Sequence, residues 1–98
     1  MYLKIHENAE GRVVAVCDKE LIGKVLEEGD KYIDLDRYRA FYMGEIAGEN
    51  RVKESLGDFR SANLVGQKAI KTVLDMGLIE KGDVMYINEI PYAQIYKI

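Results

Sequence analysis

Cysteine and histidine are almost missing from this 98-residue chain: each occurs once, as Cys17 and His6. A single cysteine makes no internal disulfide, which fits a reducing compartment. Structural zinc takes four Cys or His ligands, and this chain has two such residues in all. No excess of positive charge is present either. Fourteen Lys and Arg against 17 Asp and Glu give a net charge of −3, so overall electrostatics do not draw the protein onto nucleic acid, although a local basic patch stays open. No apolar run approaches the roughly 20 residues that cross a bilayer. The stretch after Met1, Tyr2-Leu3-Lys4-Ile5-His6, has neither the apolar core nor the cleavage site of a secretory signal. Its glycines form no dinucleotide fingerprint and no phosphate-binding loop. A cytoplasmic protein with no cofactor and no membrane association is expected.

What is present is an ordinary globular balance, 48% apolar and 32% charged, in a length that suits one domain over residues 1–98. Residues 2–6 and 12–17 flank the polar run Glu7 to Gly11 and predict a β-hairpin. With Ile5 opposite Val13, the strand period of two would put Leu3, Ile5, Val13, Ala15 and Cys17 on one face. Lys4, His6 and Arg12 would then take the other. Asp18 is a good N-cap for a helix carrying Leu21, Ile22, Val25 and Leu26 and ending at Gly29, though Glu27 and Glu28 oppose the dipole of its last turn. Residues 31–35 read as a strand, and 36–45 fits helix or strand equally. A short helix from Glu49 to Leu56 ends at Gly57. A long one follows from about Ser61 to Met76, with Gly77 as its stop and Leu78 placed to touch Val73. Val84 to Asn88 is a strand, Pro91 a break, and Tyr92 to Ile98 a last strand. Helices gathered on one face of a mostly antiparallel sheet make an α+β two-layer sandwich.

On the expected long helix, Asn63 and Gln67 lie four apart outside the apolar stripe, so their amides would be neighbours able to hold a loop or a ligand. Arg37-Tyr38-Arg39-Ala40-Phe41-Tyr42 interleaves cations with rings, the mixture that holds single-stranded RNA by phosphate pairing and stacking. The same rings would equally plug a core, with the arginines at its edge. Arg51, Lys53 and Arg60 extend the surface. Cys17 and His6 would sit on opposite faces well over ~10 Å apart, which makes Cys17 a structural thiol. Asp30, Asp34 and Asp36 share a strand face that hard metals favour, and a solvated strand end explains them as well.

Ala15-Val16-Cys17-Asp18, Glu20-Leu21-Ile22-Gly23-Lys24, Phe41-Tyr42-Met43-Gly44-Glu45, Ala62-Asn63-Leu64-Val65-Gly66 and Pro91-Tyr92-Ala93-Gln94 together resemble the archaeal family known as domain of unknown function 424. The resemblance runs over nearly the whole chain. It implies a small two-layer α+β domain and carries no established activity. It also implies that histidine is common where Tyr92 stands, so a role needing an imidazole there does not transfer. The family's genes lie near those of translation and ribosome biogenesis, which implies RNA or a ribosomal protein as partner.

The expected function is a non-enzymatic module binding RNA or a translation-related protein. Lys24, Arg37, Arg39 and Tyr42 would supply charge and stacking; Glu45, Asn63, Gln67 and Gln94 complete the expected binding set. Two alternatives stand beside it. One is a small enzyme with Asp18, Lys24, Glu45, Asn63 and Gln94 in a single cleft. The other is a subunit that self-associates as a homodimer through an edge strand at Tyr92 to Ile98.

Overall fold

The computed structural model describes residues 1–97. In chain order the elements are β1 (Tyr2–Asn8), β2 (Gly11–Cys17), a 3-10 turn at Lys19–Leu21, β3 (Val25–Glu28), β4 (Lys31–Asp34), α1 (Arg39–Tyr42), β5 (Glu45–Ile46) and α2 (Glu49–Ser55). Then come β6 (Ser61–Val65), α3 (Gln67–Asp75), a second 3-10 turn at Lys81–Asp83, β7 (Met85–Ile87) and β8 (Ile90–Tyr96).

The predicted hairpin forms, in a different register. Asn8 pairs with Gly11 across a two-residue turn, so Ile5 faces Val14 and not Val13. A slip of one residue exchanges the faces of a strand. Leu3, Ile5, Val14 and Val16 therefore share one face, while Ala15 and Cys17 belong to the opposite one.

Two expected helices give way to strands. After Asp18 the chain makes one 3-10 turn, bends at Gly23 with φ +90°, and runs into β3, which pairs with β4 across Gly29 at φ +61°. Leu21, Ile22, Val25 and Leu26 do have helical spacing, but so short an apolar set does not separate helix from strand. The ill-placed Glu27 and Glu28 are explained at once. Glu28 stands opposite Lys31 on the ladder, and its Oε1 accepts from the Asn88 N–H at 2.7 Å. Likewise residues 61–76 divide at Gly66, whose φ of 114° and ψ of 161° suit glycine alone. Ahead of it lies β6, behind it α3. The helix stop at Gly77 is as expected: Gly77 N–H donates to the Leu74 carbonyl and Leu78 N–H to that of Val73, closing a Schellman motif.

Six strands form one sheet in the order β5-β1-β2-β6-β8-β7, and β3 with β4 forms a second, two-stranded sheet. Among the described residues only β2 and β6 pair in parallel; the other neighbours in both sheets are antiparallel. The class is α+β, with a mostly antiparallel sheet. Over one face, α2 and α3 close a core of Leu3, Val14, Val16, Val52, Leu56, Leu64 and Val73. The opposite face is not bare, as two layers would leave it. There the β3–β4 hairpin and α1 cover Ala15, Cys17, Leu26, Leu35, Tyr42 and Ile87. Residues 14–17 of β2 are thus buried on both sides, which is why that strand is a continuous apolar run.

Nor is the last strand an edge over its whole length. Pro91 lies inside β8 opposite Tyr86 rather than before it, and β7 pairs with Ile90 to Tyr92. Its missing N–H is tolerated because β6 has ended at Val65, and its carbonyl still accepts from Gly66 N–H at 2.8 Å. Among the described residues, only the stretch from Ala93 to Tyr96 is paired on the β6 side alone. Ile98, the end of the expected edge strand, lies outside them.

Candidate functional site

The hairpin and α1 cover one end of the second face and stop short of the other. Between them and the strands β6 and β8 a groove of about 570 Å³ remains, within the roughly 300–1,000 Å³ of small-molecule sites. Its floor carries Asn63 and Val65 from β6 beside Tyr92 and Gln94 from β8. Its wall carries Tyr32 and Asp34 from β4, then Tyr38, Phe41 and Tyr42.

Side-chain hydrogen bonds fix that wall. Asp34 accepts from the Asp36 N–H at 3.1 Å and the Arg37 N–H at 2.7 Å through one oxygen, and from the Tyr32 hydroxyl at 3.1 Å through the other. The Arg37 amide is the chief reason that the Asp34 carboxyl is held below its ordinary value. Bonding to Asp34 pushes the Tyr32 phenol up. The resulting turn delivers Tyr38 to the rim, half exposed. Next, α1 is fastened to β1 from alternate positions of the strand. Lys4 Nζ donates to the Ala40 carbonyl at 2.8 Å. His6 Nε2–H donates to the Phe41 carbonyl at 2.9 Å, and its ring stacks on that of Phe41 with centroids 4.6 Å apart.

On the floor, Gln94 Nε2 donates to Asn63 Oδ1 at 2.9 Å. One donor and one acceptor are consumed. Asn63 Nδ2 and Gln94 Oε1 keep their capacity, so the pair offers a ligand both a donor and an acceptor above an apolar floor. Rings at the rim and amides below can hold a flat heterocycle by stacking and edge hydrogen bonds.

The other expected site residues go elsewhere. Asn63 and Gln67 share no helix: Asn63 is on β6, whereas Gln67 opens α3 and lines a smaller hollow with Asp18 and Glu20. Tyr42 is buried beneath the hairpin as well as touching the groove, and burial pushes its phenol up to about 12. Arg37 lies over the Tyr38 ring at 5.6 Å. Arg39 pairs with Asp36 at 2.7 Å, outside the groove lining. Lys24 is in the loop before β3 and is exposed, and its N–H and carbonyl are spent on Leu21 and Leu35. Glu45 pairs with Arg51 at 2.6 Å on the β5 flank.

Asp18 does not cap the turn that follows it. Its two oxygens accept from Lys68 N–H at 3.0 Å and Ala69 N–H at 2.9 Å, so it caps α3 from the end of β2. The cleft of Asp18, Lys24, Glu45, Asn63 and Gln94 therefore does not exist: only Asn63 and Gln94 meet. Asp34 and Asp36 are engaged as described, and among the described residues no group of three or more His, Cys, Asp or Glu is placed to hold a metal ion. Cys17 and His6 share a face after all, but lie four positions apart along the ribbon, roughly 13 Å at 3.3 Å per residue. Sequence reasoning missed Tyr32, Asp34 as the anchor of the turn, and the pairing of Asn63 with Gln94. Two amides on separate strands leave no spacing signal.

The family model described as "Protein of unknown function (DUF424)" matches residues 5–98. The chain belongs to the DUF424 family. A similar solved structure is that of an uncharacterized conserved protein from Methanopyrus kandleri, with a TM-score of 0.80 at 24% identity over 97% of this chain and 89% of that one. At that identity the likeness establishes the fold. No curated protein matches the sequence. No helix among the described residues is long and apolar enough to cross a membrane.

Proposed function

We propose that this DUF424 chain is a cytoplasmic, non-enzymatic binding module whose groove takes an unpaired base of single-stranded RNA. The observation that carries the reading is the groove itself: Tyr32, Tyr38 and Phe41 stand along a wall above the hydrogen-bonded amides of Asn63 and Gln94. Ring faces accept any base, and amides bond to base edges. A single free thiol, Cys17, is in keeping with a reducing compartment.

With a net charge of −3, affinity comes chiefly from stacking and hydrogen bonds, with a small share from phosphates. Unpaired RNA is favoured over duplex, because the bases of A-form RNA are already stacked and its deep groove is closed to side chains. The test is fluorescence anisotropy of short labelled single strands and of a matched duplex at two salt concentrations. Single strands bind with a shallow salt dependence, and Tyr38→Ala weakens them by about tenfold, the usual worth of one stacked base. Equal affinity for Tyr38→Ala, or no binding of any single strand at high micromolar protein, removes the reading. A setting among translation components belongs to the same proposal, and it predicts co-sedimentation with ribosomal particles from an archaeal lysate.

A further inference from the structure

Lys31 opens β4 and lines the groove from the side nearest β7. Its Nζ donates to the Tyr86 carbonyl at 2.9 Å, which uses one of the three N–H groups of an ammonium. Among the described residues lining the groove it is the one cation, and no carboxylate among them all lies within ion-pair distance of it. Glu28, opposite it on the ladder, is turned to the Asn88 N–H. Asp34, the one carboxylate of that lining, stands three residues further along β4, roughly 10 Å away. In a chain of net negative charge, a lysine with no acidic partner and two N–H groups to spare borders the groove.

A second observation is the main chain of the next residue. Lys31 to Leu35 all line the groove and no residue of β3 does, so the hairpin borders it with β4. Leu35 N–H donates to the Lys24 carbonyl at 2.8 Å and its carbonyl accepts from Gly23 N–H at 3.0 Å, both on the β3 side. Main-chain groups alternate in direction along a strand, so those of Ile33 and Lys31 also face β3, while those of Tyr32 and Asp34 face the other edge, where β4 has no neighbouring strand. There the Asp34 carbonyl accepts from Tyr38 N–H at 3.2 Å. Tyr32 keeps both an N–H and a C=O on that edge with no partner among the described residues.

Resting on the single-strand reading above, we infer that the groove is fitted to a ribonucleotide lying along β4, its base on Asn63 and Gln94, its 2′-hydroxyl on the main chain of Tyr32 and its phosphate on Lys31. Tyr86, whose carbonyl anchors the lysine, stands opposite Pro91, and from Pro91 to Gln94 is three strand positions, roughly 10 Å, a span that one nucleotide bridges. A 2′-hydroxyl both donates and accepts, so it answers the C=O and the N–H of a single residue and separates RNA from DNA. One ammonium gives the phosphate one charge-assisted contact, in keeping with the shallow salt dependence.

Titration of the full chain with adenosine, AMP and dAMP, followed by NMR chemical shifts, tests this. AMP binds about fivefold tighter than adenosine, the worth of one exposed charge pair, and about fivefold tighter than dAMP, the worth of an ordinary hydrogen bond. Lys31→Gln abolishes the gain of AMP over adenosine, whereas Lys31→Arg, which keeps the charge, retains most of it. Glu28→Ala cuts the hairpin's other tie, to the Asn88 N–H, without touching the cation, and the gain persists. Loss of the gain in Glu28→Ala would make Lys31 a fastening of the hairpin and nothing more. If AMP gains nothing over adenosine, if Lys31→Gln keeps the gain, or if dAMP matches AMP, this assignment falls and the groove reading stands. Failure of AMP and of longer single strands removes the two together.

Discussion

Asp18 and Gly66 are fitted to one another: the carboxylate lies against the bare Cα of Gly66, so that a methyl group there would run into it. The same carboxylate holds the first turn of α3 by two backbone N–H groups. Asp18→Ala leaves the part-buried Lys68 N–H and the buried Ala69 N–H without a partner and costs about 2 kcal/mol. Gly66→Ala combines the clash with a backbone conformation reserved for glycine and costs about 3 kcal/mol. Because Asp18→Ala removes the carboxyl carbon and oxygen that the methyl meets, while its own Cβ still crowds that methyl, the double variant falls short of the sum by part of the clash. Urea denaturation of the three variants measures this, and strict additivity would refute the fit.

The β7–β8 turn offers the opposite result. Asn88 and Glu89 both have positive φ, 49° and 66°, the conformation of a two-residue turn that favours Asn-Gly. Asparagine suits its place and glutamate does not. Glu89→Gly raises stability by about 0.5–1 kcal/mol, the relief of left-handed strain less the entropy glycine loses. A melting temperature that falls would contradict this.

Alkaline pH tests the second core. Burial, followed by the carboxylates of Asp18 and Glu20, pushes the Cys17 thiol up to about 12 from its ordinary 9.0. Burial and then Cys17 raise the Tyr42 phenol to about 12 from 10.0. Between the ordinary and the raised values the folded chain keeps protons that the unfolded chain has released. Stability therefore falls as pH rises from about 9 towards 12, each group adding a slope of at most about 1.4 kcal/mol per pH unit. Cys17→Ala, less stable at neutral pH, shows a shallower decline above pH 9. Native Cys17 resists alkylation at pH 7.5 and reacts rapidly in urea, whereas rapid labelling of native protein would revive it as a nucleophile.

His6 holds the aromatic wall from behind. His6→Ala loses the bond to the Phe41 carbonyl and the stacked ring. The cost is about 1–2 kcal/mol in stability, with weaker RNA binding because Phe41 is no longer held in place. His6→Phe restores the stack alone and recovers part of both. Unchanged affinity in His6→Ala would separate Phe41 from the site.

The elements that could be read from the sequence are those whose signals are local. Gly77 and Leu78 stop α3 as expected, and α2 with Gly57 lies where its spacing put it. Errors arose where pairing with another strand, near or far along the chain, decided the outcome. Residues 61–65 carry Ala62, Leu64 and Val65, which satisfy either period; pairing with β2 on one side and β8 on the other made them a strand. Val25 to Glu28 became a strand by folding onto Lys31 to Asp34 and covering the sheet, and the unfavourable Glu27 and Glu28 were the sign of it. Asp18 announced a helix cap correctly but not which helix. In the site, the ring-rich segment was visible as composition, while its joining to Asn63 and Gln94 required the topology.

The parallel seam of β2 and β6 joins Val13 to Ser61 and Cys17 to Val65, and it runs through the most buried strand of the molecule. Hairpins such as β1–β2 and β7–β8 can close early because their loops are short, yet the seam must first gather the long stretch of chain between its strands. Neither half owns a finished interior before that happens. A peptide ending ahead of Ser61 leaves one flank of β2 open to water, so the most buried strand of the molecule is completed only when the second half of the chain arrives.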